Sequence, residues 1–227
     1  MQLDKKKVLV TGSSRGIGKA IALQLAKQGA EVIVHYASNR SEGEEVLAEI
    51  KGYGATGHLL QADLFDPANA IALGEQAWDC CGGIDFLVNN AGVSYKKHFL
   101  DQTIEDIDYF TNINFKSTLL LTQVIARKMV QHHTGGSIYT ITSINGIQPG
   151  VGLSVYGATK GALETLMKGV ALELAPHNIL VNTVAVGAVE TDMNAAMRAD
   201  PGKLSIANDS IPLKRMAQPE EIARVVV

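Results

Sequence analysis

The apolar run Val8-Leu9-Val10 stops at Thr11-Gly12-Ser13-Ser14-Arg15-Gly16-Ile17-Gly18, and Ile17, Ala20, Ile21, Leu23 and Leu25 then mark one helical face that ends at Gly29. This order of buried strand, glycine-rich turn and helix constrains the rest of the chain. A strand apolar on both faces sits inside a sheet covered on both sides, and parallel neighbours need helical crossovers. The same alternation recurs to the end. Strands are predicted at Val32–Val34, His58–Ala62, Phe86–Val88, Ser137–Thr142 and Ile179–Val184. Between them lie helical patterns at Ser41–Gly54, from Pro67 through Trp78, at Ile104–Ile113, Lys116–Gln131 and Tyr156–Ala175, and from Pro219 onward. The prediction is an α/β fold: a doubly wound parallel sheet with helices on both faces, in a single domain. With 227 residues, 46% hydrophobic and 19% charged, the chain suits one large core and is short for two.

Several function classes fall away. A formal net charge of −3 offers no attraction to nucleic acid or to an anionic membrane surface. No run of about 18 apolar residues predicts a membrane helix. The only cysteines, Cys80 and Cys81, are adjacent and imply no disulfide framework, so a reducing compartment, the cytoplasm, is expected. None of the six histidines shows a metal-ligand spacing, and no metal is expected. The amino-terminal stretch Met1–Lys7 carries no apolar signal core. The other end stops inside a helix on Val225-Val226-Val227, which predicts exposed apolar surface and a chain cut short of its natural terminus.

The glycine segment predicts a phosphate site. Glycines allow a sharp turn and a close backbone approach, and the helix that follows presents free N–H groups and its positive dipole end. The candidates are Gly12, Ser14, Arg15, Gly16, Ile17 and Gly18, spaced Gly-x-x-x-Gly-x-Gly rather than in the commoner dinucleotide fingerprint. An acid often ends the second strand of such sites to hold a ribose 2′-hydroxyl. Here the segment His35-Tyr36-Ala37-Ser38-Asn39-Arg40 has none. Ser38, Asn39 and Arg40, with Arg15 nearby, suit a 2′-phosphate. NADP(H) is favoured over NAD(H).

Tyr156 and Lys160 stand four apart in a helical pattern and so share a face. A neighbouring ammonium stabilises a phenolate, which lets a tyrosine exchange a proton with an alcohol oxygen near neutral pH. Ser143 ends the fifth strand thirteen residues earlier, and Asn114 lies further upstream.

With the glycine segment, Asn89-Asn90-Ala91-Gly92, Asn114, Ser143 and Tyr156 with Lys160, the chain resembles the short-chain dehydrogenase/reductase family over essentially its whole length. That family has a Rossmann-type sheet, and the resemblance implies roles. Tyr156 would be the general acid/base, and Lys160 would lower its pKa and bind the nicotinamide ribose. Ser143 would hold the substrate oxygen, and Asn114 would position a relay water. Asn90, Ala91 and Gly92 would line the cofactor channel, with Asp63 and Leu64 at the adenine and Tyr36 at the end of the second strand. Val189 and Thr191 would hold the carboxamide, while Asn89 and Thr11 would be structural. Val186-Gly187 stands where the family often has Pro-Gly, and the family's final strand and tail do not follow Val227.

Ser94, Asn145, Gln148, Leu153 and Gly187 are the candidate substrate-binding residues. Their mix of polar and apolar groups favours a small ketone or aldehyde and its alcohol, with a polyol or sugar possible. A 3-oxoacyl-[acyl-carrier-protein] reductase is the alternative, with Arg127 and Lys128 as possible carrier contacts. A non-catalytic NADP(H)-binding regulator or scaffold is a further one. The resemblance also implies a homotetramer or homodimer built on the two long helices.

Overall fold

The computed structural model describes residues 3–227, so Met1 and Gln2 of the stretch read for a signal core lie outside it. Six strands form one sheet: β1 (Lys7–Val10), β2 (Glu31–Tyr36), β3 (Gly57–Gln61), β4 (Phe86–Asn89), β5 (Gly136–Ser143) and β6 (Ile179–Val186). Their order is β3-β2-β1-β4-β5-β6 and every pairing is parallel. The helices are α1 (Gly16–Lys27), α2 (Arg40–Gly52), α3 (Pro67–Cys81), α4 (Ile104–Phe110), α5 (Ser117–Gln131), α6 (Ser154–Leu174), α7 (Ala195–Arg198), α8 (Pro201–Ser210) and α9 (Pro219–Val226).

The period-two geometry of the strands divides the core. Val8, Val10, Val32 and Val34 face one side and pack with Ile21 and Leu25 of α1, Val46 and Ile50 of α2 and Ala223 and Val226 of α9. Leu9, Ile33 and Leu87 face the other side and meet Leu73 and Trp78 of α3 and Leu121, Ile125 and Met129 of α5. The central strands are largely apolar on both faces because helices cover both, whereas the edge strands β3 and β6 are partly open.

Strand order reverses between β1 and β4. The loops leaving their carboxyl ends therefore diverge and leave a crevice, the usual ligand position in open α/β sheets. The glycine segment follows β1 and Asn90–Gly92 follows β4, so both border that crevice.

Three readings of the sequence need correction. Boundaries shift by a few residues: α2 is Arg40–Gly52, β3 is Gly57–Gln61, α3 runs on from Trp78 to Cys81, β6 reaches Val186 and α6 starts at Ser154. The two predicted central helices are joined rather than separate, because α4 passes through a π-helical stretch, Thr111–Lys116, into α5. A π-turn fits one extra residue without breaking the helix, so apolar periodicity alone cannot show it. Third, the terminal valines are not uniformly exposed. Val226 is buried against the α1 side of the sheet, and only Val225 is largely open.

Candidate active site

The glycine segment is shaped by close backbone contacts. Gly12 and Gly16 hold φ of 60° and 56°, in the left-handed region. A Cβ on Gly18 would lie 2.3 Å from the Gly12 carbonyl oxygen, so the third residue of α1 must be glycine. The first turn of α1 has no side-chain cap and no acid, whereas Asn39, Asp66 and Thr103 cap α2, α3 and α4. Its free N–H groups thus face the crevice, an arrangement that suits an anion.

The loop is held from behind. Thr11 Oγ1 accepts from the Asn90 and Ala91 N–H groups at 2.9 and 3.0 Å. Asn90 Nδ2 donates to the Thr11 and Gly12 carbonyls at 2.9 and 3.0 Å. Asn89 Nδ2 donates to Thr122 at 2.8 Å. Buried His35 accepts the Gly12 N–H at Nδ1 (2.9 Å), which leaves Nε2 to donate to the Ala62 carbonyl at 3.0 Å. Burial drops its pKa to about 4, the Ala62 bond opposing only in part, so the ring is neutral near pH 7. Nothing in the sequence reading gave His35 this role. The available signal was a histidine inside a strand otherwise apolar on both faces.

The predicted chemical residues gather at the carboxyl ends of β4 and β5. Ser143 is the last residue of β5, in register with Val186 of β6. Its Oγ accepts from the Asn145 backbone N–H at 3.1 Å and from Asn145 Nδ2 at 3.3 Å. A hydroxyl has two acceptor sites and one donor. With both acceptor sites engaged, its proton is free for an oxygen in the site, and Ser143 stands close enough to Tyr156 to pull the phenol's pKa down. Tyr156 lies in the first turn of α6, its ring 6.4 Å from the buried Phe110 ring. Phe110 was also not foreseen, although it sits four residues before Asn114 on a helical pattern.

Lys160 lies one turn beyond Tyr156, buried, and donates to the Ile141 carbonyl at 2.9 Å. Asn114 sits in the π-turn and is fully buried. Its Oδ1 accepts from the Val93 N–H at 2.8 Å, and its Nδ2 donates to the Val93 carbonyl at 3.0 Å and to Thr159 at 3.3 Å. A Cβ on Gly92 would come within 3.2 Å of Asn114 Oδ1 and 3.4 Å of Lys160 Nζ, so these three line one small space. Glu164, a further turn along α6, accepts from Thr142 of β5 and from Thr183 of β6 at 2.8 Å and fixes the helix on the sheet.

Burial shifts both members of the pair. Burial lowers Lys160 to about 8. Burial also raises the Tyr156 phenol, and the Ser143 hydrogen bond pulls it back in part. The Lys160 ammonium is itself held by the Ile141 carbonyl.

A protein-family model described as short chain dehydrogenase matches residues 6–202. The chain belongs to that family. It is 39% identical to the 3-oxoacyl-[acyl-carrier-protein] reductase FabG of Aquifex aeolicus, over all of this chain and 90% of that protein. It is 35% identical to an L-rhamnose 1-dehydrogenase (NADP(+)) of Thermoplasma acidophilum, over 96% of this chain and 85% of the relative. Among solved structures it is similar to a 3-oxoacyl (acyl-carrier-protein) reductase from Agrobacterium tumefaciens C58 with NADP bound, with a TM-score of 0.93 at 35% identity, covering 98% of this chain and 86% of that one. Like its relatives, this short-chain dehydrogenase is an oxidoreductase acting on CH–OH groups.

Other predicted positions of the dehydrogenase fall in different places. Tyr36 is buried under α2 and Leu64 is in the core, so neither side chain opens to the crevice. Asn39 caps α2, accepting from the Glu42 N–H at 3.4 Å, and exposed Arg40 pairs with Glu44 at 2.7 Å. The corner read as free of acid does hold one: Ser14 Oγ donates to Glu42 Oε2 at 3.5 Å. Glu42 lies two residues beyond the segment inspected, and the turn into α2 folds it back. Asp63 Oδ1 accepts from the Phe65 N–H at 3.0 Å and remains exposed. Ile17 lies half-buried in the first turn of α1.

Val189 is buried and bridges to Ala217, and Thr191 lies against Gly16, so the loop after β6 reaches the glycine segment. Of the substrate candidates, Asn145 holds Ser143 and accepts the Gly150 N–H at 3.0 Å. Gln148 and Gly187 are exposed, and Ser94 and Leu153 are half-buried. The only metal-type cluster among the described residues, His58 with Cys80 and Cys81, lies elsewhere.

Proposed function

We propose that this short-chain dehydrogenase uses NADP(H) to interconvert a small ketone or aldehyde and its alcohol, with Tyr156 exchanging the proton. The observation that carries this reading is the Tyr156 phenol beside Ser143, with Lys160 and Asn114 around Gly92, next to a glycine loop that leads into an uncapped helix.

The residues fit the dinucleotide. The left-handed Gly12 and Gly16 and the open first turn of α1 make a cradle that a Cβ would fill. Ser14, Arg15, Ile17 and Gly18 complete it, Asn90, Ala91 and Gly92 form the opposite wall, and Val189 and Thr191 close the far end. Asp63 stands exposed for the adenine. When bound, the nicotinamide supplies or accepts the hydride. The chain handles the oxygen and its proton. Ser143 donates to the carbonyl oxygen as negative charge grows there, and Tyr156 delivers its proton to the same atom. Lys160 and Asn114 hold the buried polar path behind the tyrosine.

Arg40 and Ser38 support the choice of NADP(H). Arg40 is exposed, and its surface pairing with Glu44 costs little to exchange for a phosphate. Glu42 opposes a 2′-phosphate, so NAD(H) is retained as a weaker cofactor. Relatives that carry NADP in their names support the same order.

The 39% identity to a carrier-protein reductase favours a second reading, a 3-oxoacyl thioester substrate. Lys128, considered as a carrier contact, pairs with Glu75 at 2.6 Å and lies over Trp78, whereas Arg127 is exposed. We favour the free small carbonyl. A regulator or scaffold that binds NADP(H) without turnover would have no use for the four-residue arrangement. For the assembly, exposed Leu100 and Ile104 at α4 and Leu172 on α6 support a homodimer or homotetramer, which light scattering would measure. Among the described residues no helix is long and apolar enough to cross a membrane, and a cytoplasmic location fits the two free cysteines.

The deciding assay follows NADPH and NADH oxidation with ketones, aldehydes, keto sugars and a 3-oxoacyl thioester. Faster turnover of free carbonyls with NADPH supports the proposal. A preference for the thioester selects the second reading, and binding without turnover across the panel selects the scaffold.

A further inference from the structure

At the opposite end of the sheet from the crevice lies a cluster that the dehydrogenase chemistry does not use. Glu31 is the first residue of β2, and His58 is the second residue of β3, in register with Ile33. Side chains alternate along a strand, so Glu31, Ile33 and His58 all point to the same face. Ile33 packs in the α3 side of the core, and so does Cys81. Cys80 and Cys81 form the last turn of α3, which is closed by Gly82 at φ 64°. The fold thus carries two strand starts and one helix end to a single point. One ligand atom from each of His58, Cys80 and Cys81 lies within 4.8 Å of the others. The 21 residues between His58 and Cys80 match no familiar ligand spacing, so nothing in the sequence hinted at it.

We propose that His58, Cys80 and Cys81 bind a borderline-soft divalent cation of the zinc type, with Glu31 as the partner that orients His58.

Two sulfurs and one imidazole nitrogen are the donor set that such ions prefer. Zinc–sulfur bonds of about 2.3 Å in a tetrahedron place two sulfurs about 3.8 Å apart. The ligand atoms therefore need to close by only about 1 Å from the observed spread. Gly82 and Gly83, both at positive φ, follow the helix, so no side chain just beyond Cys81 crowds the two sulfurs. Glu31 Oε1 accepts from His58 Nε2 at 2.7 Å. This is the outer hydrogen bond that fixes the tautomer of a metal-binding imidazole, and it leaves Nδ1 with a free electron pair. His58 is about one-third exposed by side chain and Cys80 is exposed, so an ion has a path in. Binding exchanges two thiol protons, released to solvent, for one dication. The fourth position is left for water. No residue assigned above to cofactor or substrate takes part.

The test is titration of the reduced full-length chain with Co2+, followed by competition with Zn2+. One Co2+ per chain is expected, with tetrahedral d–d absorption and a thiolate charge-transfer band. Trp78, the only tryptophan and three residues before Cys81, should be quenched in step. Zn2+ should abolish the spectrum. Cys80→Ser/Cys81→Ser should lose the charge-transfer band, and His58→Ala should bind at least roughly 100-fold more weakly. Both variants should keep wild-type NADPH affinity and melting behaviour without metal, which shows that they fold. A wild-type titration without the thiolate band overturns the proposal. So does a serine double variant with an unchanged cobalt spectrum, or a His58→Ala affinity within tenfold of wild type.

Discussion

The Ser143 hydroxyl is aimed by elimination. Asn145 occupies both of its acceptor sites, which in the proposed reaction leaves its proton for the oxygen that Tyr156 would also serve. Asn145→Ala removes one of those bonds. It should lower kcat about tenfold with little change in substrate KM, because orientation at the reacting oxygen is lost and binding is not. Steady-state kinetics on the variant checks this. Lys160 carries a cost of another kind. Its ammonium is buried and its pKa falls to about 8 in the folded chain, below the ordinary 10.5. Between those values the unfolded chain holds the proton that the folded chain has lost. Stability from this residue therefore rises from pH 8 to 10.5 and is withheld below 8. Lys160→Met should abolish turnover yet raise the stability of the cofactor-free protein at pH 7 by about 1–3 kcal/mol, as measured by urea unfolding. The placement of these side chains was legible in the sequence as spacing, Tyr156 to Lys160 and Ser143 to a strand end. Their electrostatics were not. Proximity four apart on a helix says nothing about the carbonyl of Ile141, which the sheet brings up and to which the ammonium donates.

At the scale of elements, the strand–turn–helix at the amino terminus was the most legible part. Its glycines are required by contacts that can be named. Gly18→Ala places a methyl against the Gly12 carbonyl and Asn90 Nδ2. NADPH affinity should fall at least tenfold in a calorimetric titration, while the fold, seen by circular dichroism, persists. His35 supports the same loop from β2, and its neutral ring is a condition of the Gly12 bond. With a folded pKa of about 4 against an ordinary 6.5, the unfolded chain binds the extra proton in between. Stability is therefore lost as pH falls through that window, by up to about 3 kcal/mol from this residue. Unfolding free energies at pH 7 and 4.5, compared with those of a His35→Asn variant, should show the slope in the wild type and a reduced one in the variant. The π-turn that carries Asn114 was invisible for a different reason: one extra residue per turn leaves the apolar pattern on both sides intact. The acid at the cofactor corner escaped because Glu42 belongs to the helix after the loop. Only the Asn39 cap and the first turn of α2 bring it to Ser14. Arg40→Ala should raise the NADPH KM about tenfold and leave that for NADH unchanged, and Glu42→Gln should lower the NADPH KM.

For the whole molecule, the sheet order sets what can happen where. The reversal between β1 and β4 gathers the glycine loop, Asn90–Gly92, Ser143 and the start of α6 at the carboxyl ends of the strands. The amino ends carry Glu31, His58 and the α3 terminus. The architecture could be read from the sequence because the central strands are apolar on both faces and each crossover is a helix. The convergence of His58 with Cys80 and Cys81 could not, because it depends on strand register and on where α3 stops. The central claim is that one proton moves through one tyrosine at a nucleotide site the rest of the chain builds. Tyr156→Phe tests it most directly, with kcat and NADPH dissociation constant measured on the same preparation. The account predicts a loss in kcat of about a thousandfold with an NADPH affinity within a factor of two or so of wild type. A variant that turns over at the wild-type rate would contradict it.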